Sequence, residues 1–294
     1  MRLHFFRRAL GLALIGMLLV NLMAASHSVH AQDAVILAAG DIAACIYTGD
    51  DQTAALLDKL DGLILALGDT VQTKGAMEEY LNCFEPTWGR HKGRIRPIPG
   101  NHDYQGDGGK AYFEYFGEAA GEAGKGWYSF NYGAWHLIAL NSMVPANSRS
   151  EQVAWLKADL AANPTPCTLV YFHHPVFSSG AGGLTSRMNT VLRVLYDAGV
   201  ELVLSGDAHH YERFTPMTPD KLIDREKGVR QFVVGTGGGY LTRLGNKWRA
   251  TEARTNETHG ILRLVLSAGS YSWEFVKVEA STSDFEDSGS APCH

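Results

Sequence analysis

The sequence predicts an α/β protein with two stacked sheets flanked by helices. Short apolar runs alternate with helix-periodic segments over roughly the first two thirds of the chain, and the remainder reads as strands. Five polar clusters stand directly after apolar runs. They are Gly40-Asp41, Gly68-Asp69, Gly100-Asn101-His102-Asp103, His173-His174-Pro175 and Gly206-Asp207-Ala208-His209-His210. Continuous apolar runs read as buried parallel strands, and the loops beyond the carboxyl ends of such strands converge on one crevice.

Residues 34–39 are apolar throughout and open the domain as a strand. A helix over 53–60 precedes a second strand over 63–67. A helix over 76–84 leads to a short strand over 96–99, which enters the Asn101 loop. Residues 110–116 form a helix whose Tyr112, Phe113, Tyr115 and Phe116 read as packing. Residues 127–132 and 134–141 alternate around Gly133 and predict an antiparallel hairpin. The stripe Val153, Leu156, Leu160 marks a helix over 150–161. A strand over 169–172, a helix over 188–198 and a strand over 202–204 follow. Segments 231–235, 260–267 and 270–278 read as strands. After Glu279 the chain is rich in Ser and Asp, and 281–294 is expected to be a loose tail until Cys293.

The chain has 294 residues, 45% of them hydrophobic and 19% charged, with a formal net charge of −5. That balance is ordinary for a globular protein and argues against a general nucleic-acid binder, which would carry a basic face. Arg2, Arg7 and Arg8 precede an apolar stretch over 9–25, and Val29-His30-Ala31 suits cleavage. Residues 1–31 therefore read as a signal peptide, with an uncleaved anchor as the alternative. Arg7-Arg8 hints at twin-arginine export, but its flanks fit general secretion better. The expected location is periplasmic or secreted, with no stable membrane insertion once the leader is removed. Residues 32–280 then form one domain. Four cysteines in an exported protein suggest two disulfides, with three possible pairings. The positions favour Cys45 with Cys83 and Cys167 with Cys293.

The polar clusters carry the chemistry. Asp41 and Asp69 each follow a Gly at a strand end; alone, either reads as a turn, and together they read as metal ligands. Asn101 offers a neutral oxygen. His102 is placed to protonate a leaving group or bind phosphate, with Asp103 orienting its ring. In extended backbone His173 and His174 point to opposite faces, so one of them is expected to ligate. Asp207 and His209, at i and i+2, share a side. His210 and Tyr211-Glu212-Arg213 read as a supporting polar network, and His136 as a satisfied structural histidine. Gly235-Thr236-Gly237-Gly238-Gly239 lacks the Lys-Ser/Thr ending of a phosphate loop and reads as a close backbone approach. The loop 178–183 either closes over phosphate or lines the rim.

The order GD, GD, GNHD, HHP and G-x-x-H-x-Y-E-R resembles the calcineurin-like metallophosphoesterases. It looks closest to the branch of purple acid phosphatases and exported bacterial phosphatases. The resemblance spans nearly the whole chain after the leader. It implies a four-layer α/β/β/α sandwich with two stacked mixed sheets and a dinuclear centre. By resemblance, Asp41, Asp69 and His209 hold one metal, and Asp69, Asn101, His173 and Asp207 hold the other. The family usually has His at position 207, and Asp there favours iron, manganese or magnesium over zinc. The purple branch has Tyr where this chain has Gln72, so no purple colour is expected. Other branches have His where this chain has Ala43.

These expectations amount to an exported hydrolase of small-molecule phosphate monoesters, using two metal ions drawn from Fe, Mn, Zn or Mg. A metal-bound hydroxide attacks phosphorus and His102 is the general acid. The alternatives are a phosphodiesterase or nucleotide hydrolase on the same site, and a catalytically weakened phosphate- or metal-binding protein. Oligomeric state is not legible.

Overall fold

The computed structural model describes residues 33–180 and 186–294. The expected leader over 1–31 and residues 181–183 of the expected rim loop lie outside the described residues.

Strand β1 (Ala34–Ala39) is followed by helix α1 (Gly49–Leu57) and strand β2 (Leu63–Leu67). Helix α1 starts earlier than its apolar pattern indicates, because Asp50 and Asp51 suit the positive N-terminal turn. The helix expected over 76–84 is a short α2 (Met77–Glu79) running into a π-helical turn, Tyr80–Phe84. That turn buries Tyr80 and Phe84 among the rings of Tyr115 and Phe116. After a 3₁₀ segment (Trp88–Arg94) comes β3 (Ile95–Ile98). The Asn101 loop is instead a helical turn, α3 (Asn101–Gln105), whose Asp103 accepts the Gly100 N–H at 2.8 Å. The chain continues through α4 (Lys110–Phe116), the hairpin β4 (Tyr128–Tyr132) and β5 (Trp135–Ala139), and α5 (Glu151–Ala162). Ser150 caps α5 by accepting from Val153 N at 3.3 Å. Strand β6 (Thr168–Tyr171), helix α6 (Asn189–Asp197) and strands β7 (Leu202–Ser205), β8 (Tyr211–Phe214), β9 (Arg230–Val234), β10 (Thr251–Thr255), β11 (Gly260–Ser267), β12 (Ser270–Lys277) and β13 (Ser288–Pro292) complete the order.

The strands build two mixed sheets. One has the order β13-β12-β11-β1-β2-β3 and the other β10-β8-β9-β7-β6-β5-β4. The parallel run β1–β2–β3 ends the first sheet, and the parallel run β5–β6–β7–β9 occupies the middle of the second. Side chains join the sheets: Trp135 meets Tyr271, and Phe232 meets Trp273. Ring pairs at 5.8 Å and 6.0 Å fit sheets packed face to face. The parallel strands are almost wholly buried, as their unbroken apolar sequences require.

Both favoured disulfides are present, Cys45–Cys83 and Cys167–Cys293. The expected loose tail is corrected: Ser288–Pro292 pairs antiparallel with β12. Asp287 pins it from below, bonded to Tyr211 OH at 2.7 Å and to Arg213. No apolar periodicity marked this strand, because it is a polar edge held by its ladder to β12, the disulfide and Asp287.

Candidate metal centre

Each Gly-Asp pair turns the chain at the carboxyl end of a parallel strand. Asp41, Asp69 and Asp207 have φ of 59°, 47° and 64°, left-handed values that non-glycine residues hold only where the surroundings enforce them. Cross-strand bonds do the enforcing: Asp41 N donates to Gly68 O at 3.0 Å and Ile42 N to Asp69 O at 2.9 Å. Two glycines admit the close approach. A Cβ at Gly100 would stand 2.2 Å from Asp69 Oδ1, and one at Gly68, where φ is 85°, would stand 2.5 Å from His173 Nδ1.

The donor atoms gather in two groups. His173 Nε2 lies 3.4 Å from Asp69 Oδ1, 3.2 Å from Asn101 Oδ1 and 3.8 Å from Asp207 Oδ1. Its Nδ1 stands 2.8 Å from the Leu67 carbonyl, which accepts the N–H there and leaves the Nε2 lone pair of the neutral ring aimed at the group. The second group is Asp41 with His209, whose Nε2 is 3.1 Å from Asp41 Oδ1 and whose Nδ1 is 2.7 Å from the Tyr240 carbonyl. Asp41 Oδ2 accepts from Asp207 N at 2.9 Å. Ligating atoms of Asp41, Asp69 and His173 all lie within 4.8 Å of one another.

Three carboxylates in so small a buried volume need positive charge. Burial opposes charge on His173, yet the carboxylates of Asp69, Asp41 and Asp207 hold its pKa well above the ordinary value. His209 is likewise penalised by burial, and Asp41 raises it to about 9. Burial disfavours ionised Asp69, but His173 and His102 outweigh it and lower its pKa. Asp207 is raised by burial first, and the Asp41 and Asp69 charges add to that. Histidine protons thus offset the carboxylates in the absence of cations. Ligation displaces those protons, since a metal takes the neutral ring.

Asp41 Oδ1 shows that the residues fit cations. It is buried and, among the described residues, its one close partner is the His209 ring, with Nε2 at 3.1 Å as an ion-pair contact. A carboxylate oxygen left so is unfavourable unless a cation coordinates it. Carboxylates, an amide oxygen and imidazoles suit hard or borderline divalent ions. Gln72 Nε2 donates to Asp69 O at 3.4 Å, so its amide lies beside the centre, whereas Ala43 supplies backbone contacts to Thr70, Val71 and Gln72 and no ligating side chain.

Two sequence expectations change. Asp103 does not orient the His102 ring. Its carboxylate accepts from Gly100 N at 2.8 Å, Thr70 N at 3.2 Å, Thr70 Oγ1 at 2.5 Å and Tyr80 OH at 2.7 Å. Burial, then the Asp69 charge, push its pKa up to about 6. The His102 ring instead faces Thr73 O at 3.4 Å and Asp69 Oδ2 at 3.8 Å, while His102 N donates to Asp69 Oδ1 at 2.8 Å. The helical turn of α3 is the reason, because it directs the third residue back onto its own cap. Nor do His173 and His174 diverge. His174 Nε2 is 4.0 Å from Asp207 Oδ1, and its Nδ1 pairs with Ser142 Oγ at 2.7 Å, because the backbone leaves the strand before them. Burial and the His173 charge push the His174 pKa down to about 3.

The readings of the glycine run, His210 and His136 hold. Gly237 N donates to Gly40 O at 2.9 Å and Gly239 N to Asp41 O at 2.8 Å, so the glycine run is a close backbone approach. His210 pairs with Glu212, which also takes Ser179 N and Thr251 Oγ1. His136 is satisfied by Asn131 and Asp159. Sequence reasoning missed Thr70, Tyr80, Ser142 and Tyr240. Each acts as a partner at long chain separation, for which a single sequence carries no signal.

Residues 34–211 match the family model for calcineurin-like phosphoesterases, and the chain belongs to that family. Purple acid phosphatase 15 of Arabidopsis thaliana is 26% identical over 229 residues, covering 65% of this chain and 43% of that protein. The chain spans less than half the length of the curated relatives it matches. Among solved structures, a purple acid phosphatase from yellow lupin (Lupinus luteus) seeds aligns with a TM-score of 0.72 at 18% identity, over 89% of this chain and 54% of that one. A dimetal phosphatase from Danio rerio aligns with a TM-score of 0.62 at 13% identity, over 89% of this chain and 99% of that one. The two mixed sheets with their helices are the fold of these structures.

Proposed function

We propose that this chain is an exported metal-dependent phosphatase that hydrolyses phosphate monoesters with two ions. The observation that carries the reading is the buried cluster of Asp41, Asp69 and His173 at the sheet edge, whose ligating atoms lie within 4.8 Å of one another. Asp41, Asp69 and His209 hold one ion, and Asp69, Asn101, His173 and Asp207 hold the other. When bound, such a pair supplies Lewis acidity toward phosphate and brings the pKa of a coordinated water near neutral. His102, with its side chain 30% exposed at the mouth of the cluster, protonates the departing alkoxide. Asp103 positions the turn that presents Asn101 and His102. All four cysteines are in disulfides and supply no thiolate nucleophile. Export rests on the leader-like 1–31 and on the two disulfides. Among the described residues no helix is long and apolar enough to cross a membrane.

The test is turnover of an aryl phosphate and of bis(p-nitrophenyl) phosphate by protein loaded in turn with Mn, Fe, Zn and Mg, beside Asp69→Ala. Metal-dependent monoester turnover that disappears in Asp69→Ala is the expected result. Faster diester turnover would move the reading to phosphodiesters, and full activity in Asp69→Ala would sink it.

A further inference from the structure

Two tyrosines stand beside the metal centre with no structural task in the core. Tyr240 is 56% exposed and Tyr47 46% exposed, and their ring centroids are 6.3 Å apart. The Tyr240 ring also packs on His209, centroid to centroid 4.7 Å. His209 Nε2 is in turn 3.1 Å from Asp41 Oδ1. The two rings therefore continue outward from the candidate ligands as a short aromatic wall. Exposed aromatic side chains are normal when scattered singly; a pair adjoining a buried polar cluster is a different arrangement.

The wall is built to stay in place. The Tyr240 carbonyl accepts from His209 Nδ1, and Thr242 N donates back to His209 O at 2.9 Å. Gly239 N, just before Tyr240, is bonded to Asp41 O at 2.8 Å. On the other side, Tyr47 N donates to Ala44 O at 2.7 Å, and Cys45 ties that turn to Cys83. Ile46, 83% exposed, extends the apolar rim. The backbone at both tyrosines is thus held by hydrogen bonds and a disulfide, while each residue remains about half exposed. Fixed rings bind a flat partner with little ordering loss.

We infer that Tyr47 and Tyr240 form the subsite for the organic part of the substrate, and that this part is a flat aromatic group. The inference rests on the phosphatase reading. With the phosphate on the ions, an aryl or nucleobase group extends along the wall and stacks on the rings. A small flexible alkyl group has no face to stack and gains little from it.

The experiment compares phenyl phosphate with glycerol 2-phosphate on the metal-loaded full chain and on Tyr47→Ala, Tyr240→Ala and Tyr240→Phe. Calorimetric binding of phenylphosphonate and methylphosphonate supplies a readout that needs no turnover. Each alanine variant is expected to raise KM for phenyl phosphate about threefold to tenfold, the usual size of one aromatic pair. Phenylphosphonate affinity should fall equally, with kcat and both aliphatic ligands unmoved in Tyr47→Ala; in Tyr240→Ala, whose ring packs on His209, the readout is the ratio of aromatic to aliphatic affinity. Tyr240→Phe should keep wild-type discrimination, because the ring rather than the hydroxyl does the stacking. Equal losses on aromatic and aliphatic ligands, or no loss on either, would overturn the subsite. Absence of turnover on both esters by the wild-type protein would count against the phosphatase reading itself; the phosphonate affinities would still decide the subsite.

Discussion

Replacing Asp103 separates two roles that a Gly-Asn-His-Asp turn can give its last residue. Its buried carboxylate faces only donors: the N–H groups of Gly100, Thr70 and, at 3.4 Å, Val71, and the hydroxyls of Thr70 and Tyr80. In Asp103→Ala all five lose this acceptor. Each unsatisfied buried donor costs about 1–3 kcal/mol, and entry of a water reduces the sum, so a loss of about 3–5 kcal/mol is expected. Asp103→Asn is different. Its oxygen still serves the Gly100 and Thr70 N–H groups, which cannot reverse, while its NH₂ meets two hydroxyls, which can rotate to accept, and only the long Val71 N–H contact is lost. That variant should lose only about 1–2 kcal/mol, the difference between charged and neutral acceptors. Urea denaturation measures both values, and steady-state kinetics on phenyl phosphate follows kcat. Because the Asp103 carboxylate makes no bond to the His102 ring, Asp103→Asn should keep kcat within about threefold and leave its pH profile unshifted, a change below about 1 kcal/mol in barrier. Wild-type stability in Asp103→Ala would refute the keystone role. A large kcat loss with a shifted pH profile in Asp103→Asn would restore a direct part for the carboxylate in His102 chemistry.

Asp50 is buried, its Oδ2 accepts from Thr87 Oγ1 at 3.0 Å while its Oδ1 has no donor among the described residues, and burial pushes its pKa from 3.8 up to about 6. The folded protein then holds a proton that the unfolded chain has lost, so stability falls as pH rises from about 4 to 6. The shift corresponds to about 3 kcal/mol, reduced by residual solvent screening to about 1–2 kcal/mol. Asp50→Asn should therefore stabilise the protein by that amount at pH 7 and flatten this slope in thermal melts; a destabilised variant would show the sign to be wrong. Removing Cys167–Cys293 as the double Ser variant opens a link spanning 126 residues. It should cost about 2–5 kcal/mol and lower Tm by about 5–15 °C, and an unchanged melt would show that β13 holds without its tether. Asp207→His should shift relative affinity from Mn toward Zn in competition binding, because an imidazole is the softer donor. An unchanged Mn/Zn ratio would mean that position 207 does not ligate.

The sequence by itself determined the strands that matter, since unbroken apolar runs such as Ala34–Ala39 and Leu63–Leu67 can be satisfied only as buried parallel strands. It also determined that Asp41, Asp69, Asn101, His173, Asp207 and His209 share one edge, because topology sends every such loop to the same crevice. Helix ends were less legible: capping and burial set Gly49–Leu57 and the π turn Tyr80–Phe84, and neither follows from apolar spacing. Tertiary structure alone decided where side chains with two open choices went. Asp103 turned to Thr70 and Tyr80 rather than to His102, and His174 came round beside His173. It decided that the polar segment Ser288–Pro292 is an edge strand, because Cys293 and Asp287 reach partners far back in the chain. It brought Tyr47 and Tyr240 together although they are distant in sequence. Periodicity and spacing are local properties and survive in one dimension. The partner of a hydrogen bond, a disulfide or an exposed ring is fixed by distance in space, which packing alone creates.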